Sequence, residues 1–105
     1  MKNIEYLITL SDIIKRRRSE KSEKSYTATL MENNELLTKK IGEEAIELII
    51  STLANDNENI KKEAADLIYH LMVLLEKNDL NLDDICAELI NRDGVSGHDE
   101  KKSRK

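Results

Sequence analysis

Between Ile60 and Leu75 the chain places Ile60, Ala64, Leu67, Ile68, Leu71, Met72, Leu74 and Leu75 around almost the whole circumference of a helix, yet Glu63, Asp66 and His70 interrupt it. At about 100° of rotation per residue, steps of three and four align those three along one side. A helix apolar nearly all round belongs inside a bundle or a dimer. Ionised acids on such a helix require partners. The chain must therefore form a helical assembly that covers apolar surface and still gives these carboxylates something to bind. His70 reads as a satisfied core histidine or a support for a neighbouring ligand, and Tyr69 as a core or interface aromatic.

The spacing predicts this helix over Asn57 to Lys77 and another before it over Glu35 to Ala54. On the earlier one Leu36, Leu37, Ile41, Ala45, Ile46, Leu48, Ile49, Ile50 and Leu53 leave only a narrow polar strip of Lys40, Glu43, Glu44 and Glu47. The three glutamates fall within a sector of roughly 100°. Gly42 costs about 1 kcal/mol relative to Ala inside a helix, which predicts close approach by a neighbour or a substrate. Asn55 to Asn59 is a tight polar connection in which Asn55 ends one helix and Asp56 begins the next, and short connections make antiparallel neighbours. Such a hairpin can bring both acidic faces together. Gathered carboxylates repel one another, so they call for a compensating charge, and a hard divalent cation with oxygen ligands is the simplest. Mg²⁺ beside a phosphorylated substrate fits. The competing account is surface acids paired with lysines such as Lys40 and Lys62. The cluster has neither paired cysteines nor a histidine set for zinc. No Ser/His/Asp triad or Gly-rich phosphate loop is present.

The rest of the chain agrees with an all-α domain. Pro is absent, Gly occurs three times, and there is no Trp or Phe among the 105 residues, so the core must be built from Leu, Ile and Ala. Such a short chain makes a second subunit attractive. Residues 3 to 18 read as a helix carrying Ile4, Leu7, Ile8, Ser11 and Ile14 on one face and ending in the basic run Lys15, Arg16, Arg17 and Arg18. That run suits the C-terminal end of the helix dipole, and equally a phosphate. Ser19 to Lys24 is a polar loop. Ser25 or Thr27 caps a short helix through Leu30 and Met31, and both are candidate ligands for a phosphate or ribose. Asn81 caps a last helix running to about Arg92, stopped by Asp93-Gly94. Residues 1 to 95 form one domain, and 96 to 105 read as a disordered polar tail. A formal charge of -4, from 17 basic and 21 acidic residues, disfavours a nonspecific nucleic-acid binder. A single cysteine, Cys86, fits a reduced compartment. With no membrane-spanning stretch and no apolar leader, a cytoplasmic protein is expected.

These residues also carry a resemblance. Glu43-Glu44-Ala45-Ile46-Glu47 followed by Glu63-Ala64-Ala65-Asp66 is similar to the EExxE and ExxD motifs of all-alpha nucleoside-triphosphate pyrophosphohydrolases, which share a core with MazG-like proteins. Ser25-Tyr26-Thr27, the KKxGEEAxE stretch from Lys39 to Glu47, the EAADLxYHLxVLL stretch from Glu63 to Leu75 and the ELxxR stretch from Glu88 to Arg92 narrow this. Over residues 4 to 95 the chain resembles the phosphoribosyl-ATP pyrophosphohydrolases of histidine biosynthesis. The resemblance implies Mg²⁺-dependent hydrolysis of 1-(5-phosphoribosyl)-ATP between its α and β phosphates, giving 1-(5-phosphoribosyl)-AMP and pyrophosphate. It implies Glu44, Glu47, Glu63 and Asp66 as the metal-binding set, with Glu43 a weaker ligand or a water-orienting base. Lys40 and Arg16 to Arg18 become candidates for phosphate contacts, and Ser25 and Thr27 for the substrate loop. The implied fold is a small bundle of about four main helices plus a short one, completed by a homodimer partner. In many organisms the domain is fused to the phosphoribosyl-AMP cyclohydrolase of the next step, so association with that enzyme is expected. The segment SEKSEK departs from the Pro-containing connection often seen in the family. The rival readings are an all-alpha pyrophosphohydrolase acting on dUTP or another nucleoside triphosphate, and a non-catalytic helical interaction module.

Overall fold

The computed structural model describes residues 2 to 94, and the expected tail at 96 to 105 lies outside them. A 3₁₀ turn at Lys2–Glu5 leads into α1 (Tyr6–Arg17), and a second one at Ser22–Lys24 into the short α2 (Tyr26–Glu32). The helices α3 (Asn34–Leu53), α4 (Asn57–Lys77) and α5 (Leu82–Asn91) follow, with no strand among the described residues. The fold is an all-α bundle, as expected. The expected single helix over 3 to 18 is divided, its first turn being 3₁₀, and the expected polar loop at 19 to 24 contains the second tight turn.

The helix ends explain how so few glycines suffice. Ser25 caps α2, its Oγ accepting from the Ala28 N–H at 3.2 Å, and Asp56 caps α4 by accepting from the Asn59 N–H at 3.2 Å. Asn33 ends α2 and also caps α3, its Oδ1 accepting from the Leu36 N–H at 3.0 Å, so those helices meet without a loop. Asn81 and Asp84 form a reciprocal capping box at the start of α5. Beyond α3 and α4 the chain turns through left-handed residues, Asn55 at φ 56° and Asp79 at φ 60°. At each turn paired backbone bonds reach back: Asn55 N–H to Thr52 O and Asp56 N–H to Ser51 O, then Asp79 N–H to Glu76 O and Leu80 N–H to Leu75 O. These are Schellman closures made with Asn and Asp where Gly is commoner.

The longest contact is between α3 and α4, which run antiparallel as a hairpin. Its open end, carrying Leu37 on α3 and Met72, Val73 and Leu75 on α4, is covered by α1 and α2. Ile14, Leu30, Leu37, Met72 and Val73 are the buried centre there, with Leu7, Leu10, Met31, Ile41, Tyr69 and Leu82 packed around it. Toward the loop end the hairpin is bare. Ile46, Ile49 and Ile50 are nearly 60% exposed and Leu53 is 78% exposed. Arg18 fastens α1 to the end of α4, its Nη1 donating to Glu76 Oε2 at 2.9 Å, to Asp79 Oδ1 at 2.7 Å and to the Glu76 carbonyl at 3.0 Å. The helix α5 has no buried residue. It faces α1 across a groove of about 450 Å³ lined by Ile4, Leu7, Ile8, Leu82 and Cys86.

Candidate metal centre

Glu44 stands on the polar strip of α3, and Glu63 and Asp66 stand one turn apart on α4. The antiparallel pairing brings these three together: each offers a carboxylate oxygen, and all three oxygens lie within 4.8 Å of one another. Glu44 and Glu63 are largely buried, while Asp66 is open to solvent. Glu47, one turn beyond Glu44, joins the group by a hydrogen bond between its carboxyl and that of Glu63. Ser51 braces that turn, its hydroxyl donating to the Glu47 carbonyl at 2.8 Å and accepting from the Asn59 side chain of α4.

The electrostatics show how poorly this group is compensated. Glu63 has its pKa pushed up to about 7, first by the hydrogen bond to Glu47, then by burial and by the charges of Glu47, Glu44 and Asp66. Glu44 is also raised, mainly by burial and then by Asp66 and Glu47, with His70 and Lys40 only partly opposing the shift. Metal-free, the cluster holds a proton more readily than isolated carboxyls do. An all-carboxylate oxygen set spread over two rigid helices suits a hard cation and is unlike the Cys/His sets that hold zinc.

The other expected site residues are distributed around this centre. The Lys40 ammonium is 3.7 Å from Glu43 Oε1, so among the described residues Glu43 is the one glutamate of the EExxE motif with a lysine partner. Arg16, Arg17 and Arg18 are exposed at the end of α1; Arg17 pairs with Glu20 at 3.7 Å, and Arg18 is engaged with Glu76 and Asp79. Ser25 and Thr27 are buried in the first turn of α2, where Ser25 caps the helix and Thr27 Oγ1 hydrogen-bonds the Tyr69 hydroxyl. No neighbour among the described residues crowds Gly42, since a Cβ built there meets nothing within 4 Å, which leaves only the substrate half of the expectation. The groove between α1 and α5 shares no residue with the acids.

One group was not legible from spacing. The Tyr26 hydroxyl lies 3.1 Å from His70 Nε2, and His70 Nδ1 lies 2.8 Å from the Asp66 carbonyl oxygen. Tyr26 and Tyr69 are nearly parallel, with ring centroids 6.4 Å apart, and His70 stands edge-on to both. The signal lay in the SYT and YHL segments, which are 44 residues apart between Tyr26 and His70 and have no common helical period.

Comparison with known proteins agrees with the motifs. The family model described as phosphoribosyl-ATP pyrophosphohydrolase matches residues 7 to 93. The phosphoribosyl-ATP pyrophosphatase of Zymomonas mobilis is 41% identical over 101 residues, covering 95% of this chain and 94% of its own. Those of Agrobacterium fabrum and Dechloromonas aromatica are 42% and 43% identical, covering 93% and 99% of this chain and 92% and 97% of theirs. With the motifs, the all-α hairpin and full-length similarity in agreement, this chain belongs to the phosphoribosyl-ATP pyrophosphohydrolase family.

Proposed function

We propose that the protein hydrolyses 1-(5-phosphoribosyl)-ATP between its α and β phosphates, yielding 1-(5-phosphoribosyl)-AMP and pyrophosphate, the second step of histidine biosynthesis. The observation that carries this reading is the meeting of Glu44, Glu63 and Asp66 within 4.8 Å in a chain of this family. Glu44, Glu47, Glu63 and Asp66 are the residues that would hold Mg²⁺. When bound, Mg²⁺ supplies the charge neutralisation and phosphate-oxygen binding that phosphoanhydride hydrolysis needs. Glu43, tied to Lys40, is the candidate to orient the attacking water and take its proton, and Lys40 would share its charge with a phosphate. Arg16 and Arg17 offer exposed cations for the remaining phosphates. Arg18 could join them only by releasing Glu76 and Asp79, and Ser25 and Thr27 would present the edge of α2 to the substrate.

The reading includes a homodimer, supported by the uncovered Ile46, Ile49, Ile50 and Leu53, a contiguous apolar strip of the kind that marks an interaction surface. It also includes a cytoplasmic location and functional association with the cyclohydrolase that consumes the product. No helix among the described residues is long and apolar enough to cross a membrane.

The test is pyrophosphate release with Mg²⁺, comparing phosphoribosyl-ATP with ATP, dUTP and dCTP. Preferred turnover of phosphoribosyl-ATP is expected. Equal or faster turnover of a simple triphosphate would sink the histidine-pathway reading. Failure of Mg²⁺ to raise the melting temperature, even with nucleotide present, would sink the enzyme reading itself.

A further inference from the structure

Beside the acids lies a polar chain to which neither the resemblance nor the metal chemistry gives a role. A carbonyl oxygen can only accept, so the 2.8 Å contact between His70 Nδ1 and the Asp66 carbonyl places a proton on Nδ1. In the neutral ring Nε2 is then a bare acceptor, and the Tyr26 hydroxyl at 3.1 Å donates to it. The sequence of bonds runs from the backbone of a residue in the acid cluster, through a buried imidazole, to a tyrosine on another helix.

Tyr26 differs from the residues on either side of it. Ser25 and Thr27 are buried, whereas Tyr26 is 50% exposed even though its hydroxyl is held by the buried His70. Its surroundings include Lys40, Glu44 and Asp66, all of which act electrostatically on its hydroxyl. The next residue repeats the attachment, since Thr27 Oγ1 bonds the Tyr69 hydroxyl. Two consecutive residues of α2 are thus tied to two consecutive residues of α4, one turn beyond Asp66. With Tyr26–His70 cut, the Thr27–Tyr69 bond and the buried Ala28 and Leu30 would still attach α2 to the bundle.

We propose that His70 and Tyr26 form a positioning relay for the hydrolytic site: His70, with its proton fixed on Nδ1 by the Asp66 carbonyl, holds the Tyr26 phenol and so sets the first turn of α2 against the acid cluster at the centre of the hairpin, where the nucleotide would lie. The inference deepens the pyrophosphohydrolase reading and rests on it. The relay acts on where substrate sits, and its loss should appear in KM before kcat.

The experiment compares Tyr26→Phe, His70→Phe and the double variant in steady-state hydrolysis of phosphoribosyl-ATP with saturating Mg²⁺, alongside melting temperature and ¹⁵N spectra of the histidine rings. Tyr26→Phe keeps the ring and removes one hydrogen bond, so KM should rise about three- to tenfold with kcat held within about twofold. The double variant should be no worse than the worse single variant, because both cut one chain. In the wild-type spectrum the His70 Nδ1 should carry the proton, and Tyr26→Phe should shift Nε2 while leaving Nδ1 protonated. Wild-type KM in folded Tyr26→Phe, multiplicative losses in the double variant, or a neutral ring protonated on Nε2 would each overturn the relay. A fall in melting temperature with unchanged KM would reduce the pair to a structural tie and overturn it as well. Should His70→Phe fail to fold, Tyr26→Phe with its spectrum decides alone. A wild-type protein that turns over none of the substrate would overturn the enzyme reading together with the relay, whereas an active wild type with an unaffected Tyr26→Phe would overturn the relay only.

Discussion

The two ends of the α3–α4 hairpin are both rich in apolar residues and meet different fates. At the open end Leu37, Met72, Val73 and Leu75 are buried under α1 and α2. At the loop end Ile46, Ile49, Ile50 and Leu53 meet no such cover. Helical period cannot tell these ends apart, because it records which side of a helix is apolar and says nothing of what lies across from it. The acids occupy the stretch between, and they too are left incomplete by the single chain, in charge where the loop end is incomplete in covered area. The contrast assigns three different needs to one hairpin: a core within the chain, a cation at the centre, and another surface at the tip.

The largest way to break this contrast is at the covered end. Leu37→Ala should destabilise the fold by about 2–5 kcal/mol, since Leu37 has no exposed surface and its neighbours cannot all close on the cavity; denaturant unfolding would read the loss, and a cost under about 1 kcal/mol would mean that the open end is not the core. At the centre, Glu63→Gln should cut turnover by about 10²–10³-fold, comparable to removing a single charge-stabilising group from a transition state. The same variant should melt higher than wild type at pH 8 without metal, because it removes a buried charge that Glu47, Glu44 and Asp66 repel. Lower stability there would refute the account of the cluster as an uncompensated site. At the tip, Ile50→Lys should weaken self-association by about tenfold or more while changing the stability of the dilute chain by no more than about 0.5 kcal/mol. Sedimentation read against concentration separates the two effects, and an unchanged association state would remove Ile50 from the interface.

A smaller effect concerns pH. Glu63 has a folded pKa of about 7, above its ordinary value near 4.5, so between these the native state binds more protons than the unfolded chain. Its contribution is therefore most favourable below about pH 4.5 and is lost as pH rises through about 7. Melting curves of metal-free protein should show this group's stabilisation fading from pH 5 to pH 8, and saturating Mg²⁺ should flatten that trend by replacing the proton. A metal-free stability that rises over the same window, after correction with Glu63→Gln, would contradict the shift.

Most helix ends were readable from neighbouring residues, though not the 3₁₀ turns at Lys2–Glu5 and Ser22–Lys24. Asp56 and Asn81 as caps, Asn55 as a helix end and the apolar period over 57 to 77 were all readable because capping and periodicity act over one or two turns. The shared faces of Glu43, Glu44 and Glu47, and of Glu63 and Asp66, were readable for the same reason. Helical spacing left open whether the two acidic faces meet, and the packing of α3 on α4 brings Glu44 to Glu63 and Asp66, whereas the pairing of Glu43 with Lys40, three residues away on the same helix, is local. Tertiary structure also decided that Arg18 is engaged by Glu76 and Asp79 and that Tyr26 is tied to His70. The Arg18 and Tyr26 contacts join residues 44 to 61 positions apart, and no local period encodes such a distance. Local hydrogen bonding and rotation per residue are written in neighbouring positions, whereas the partner across an interface is set by how whole helices pack.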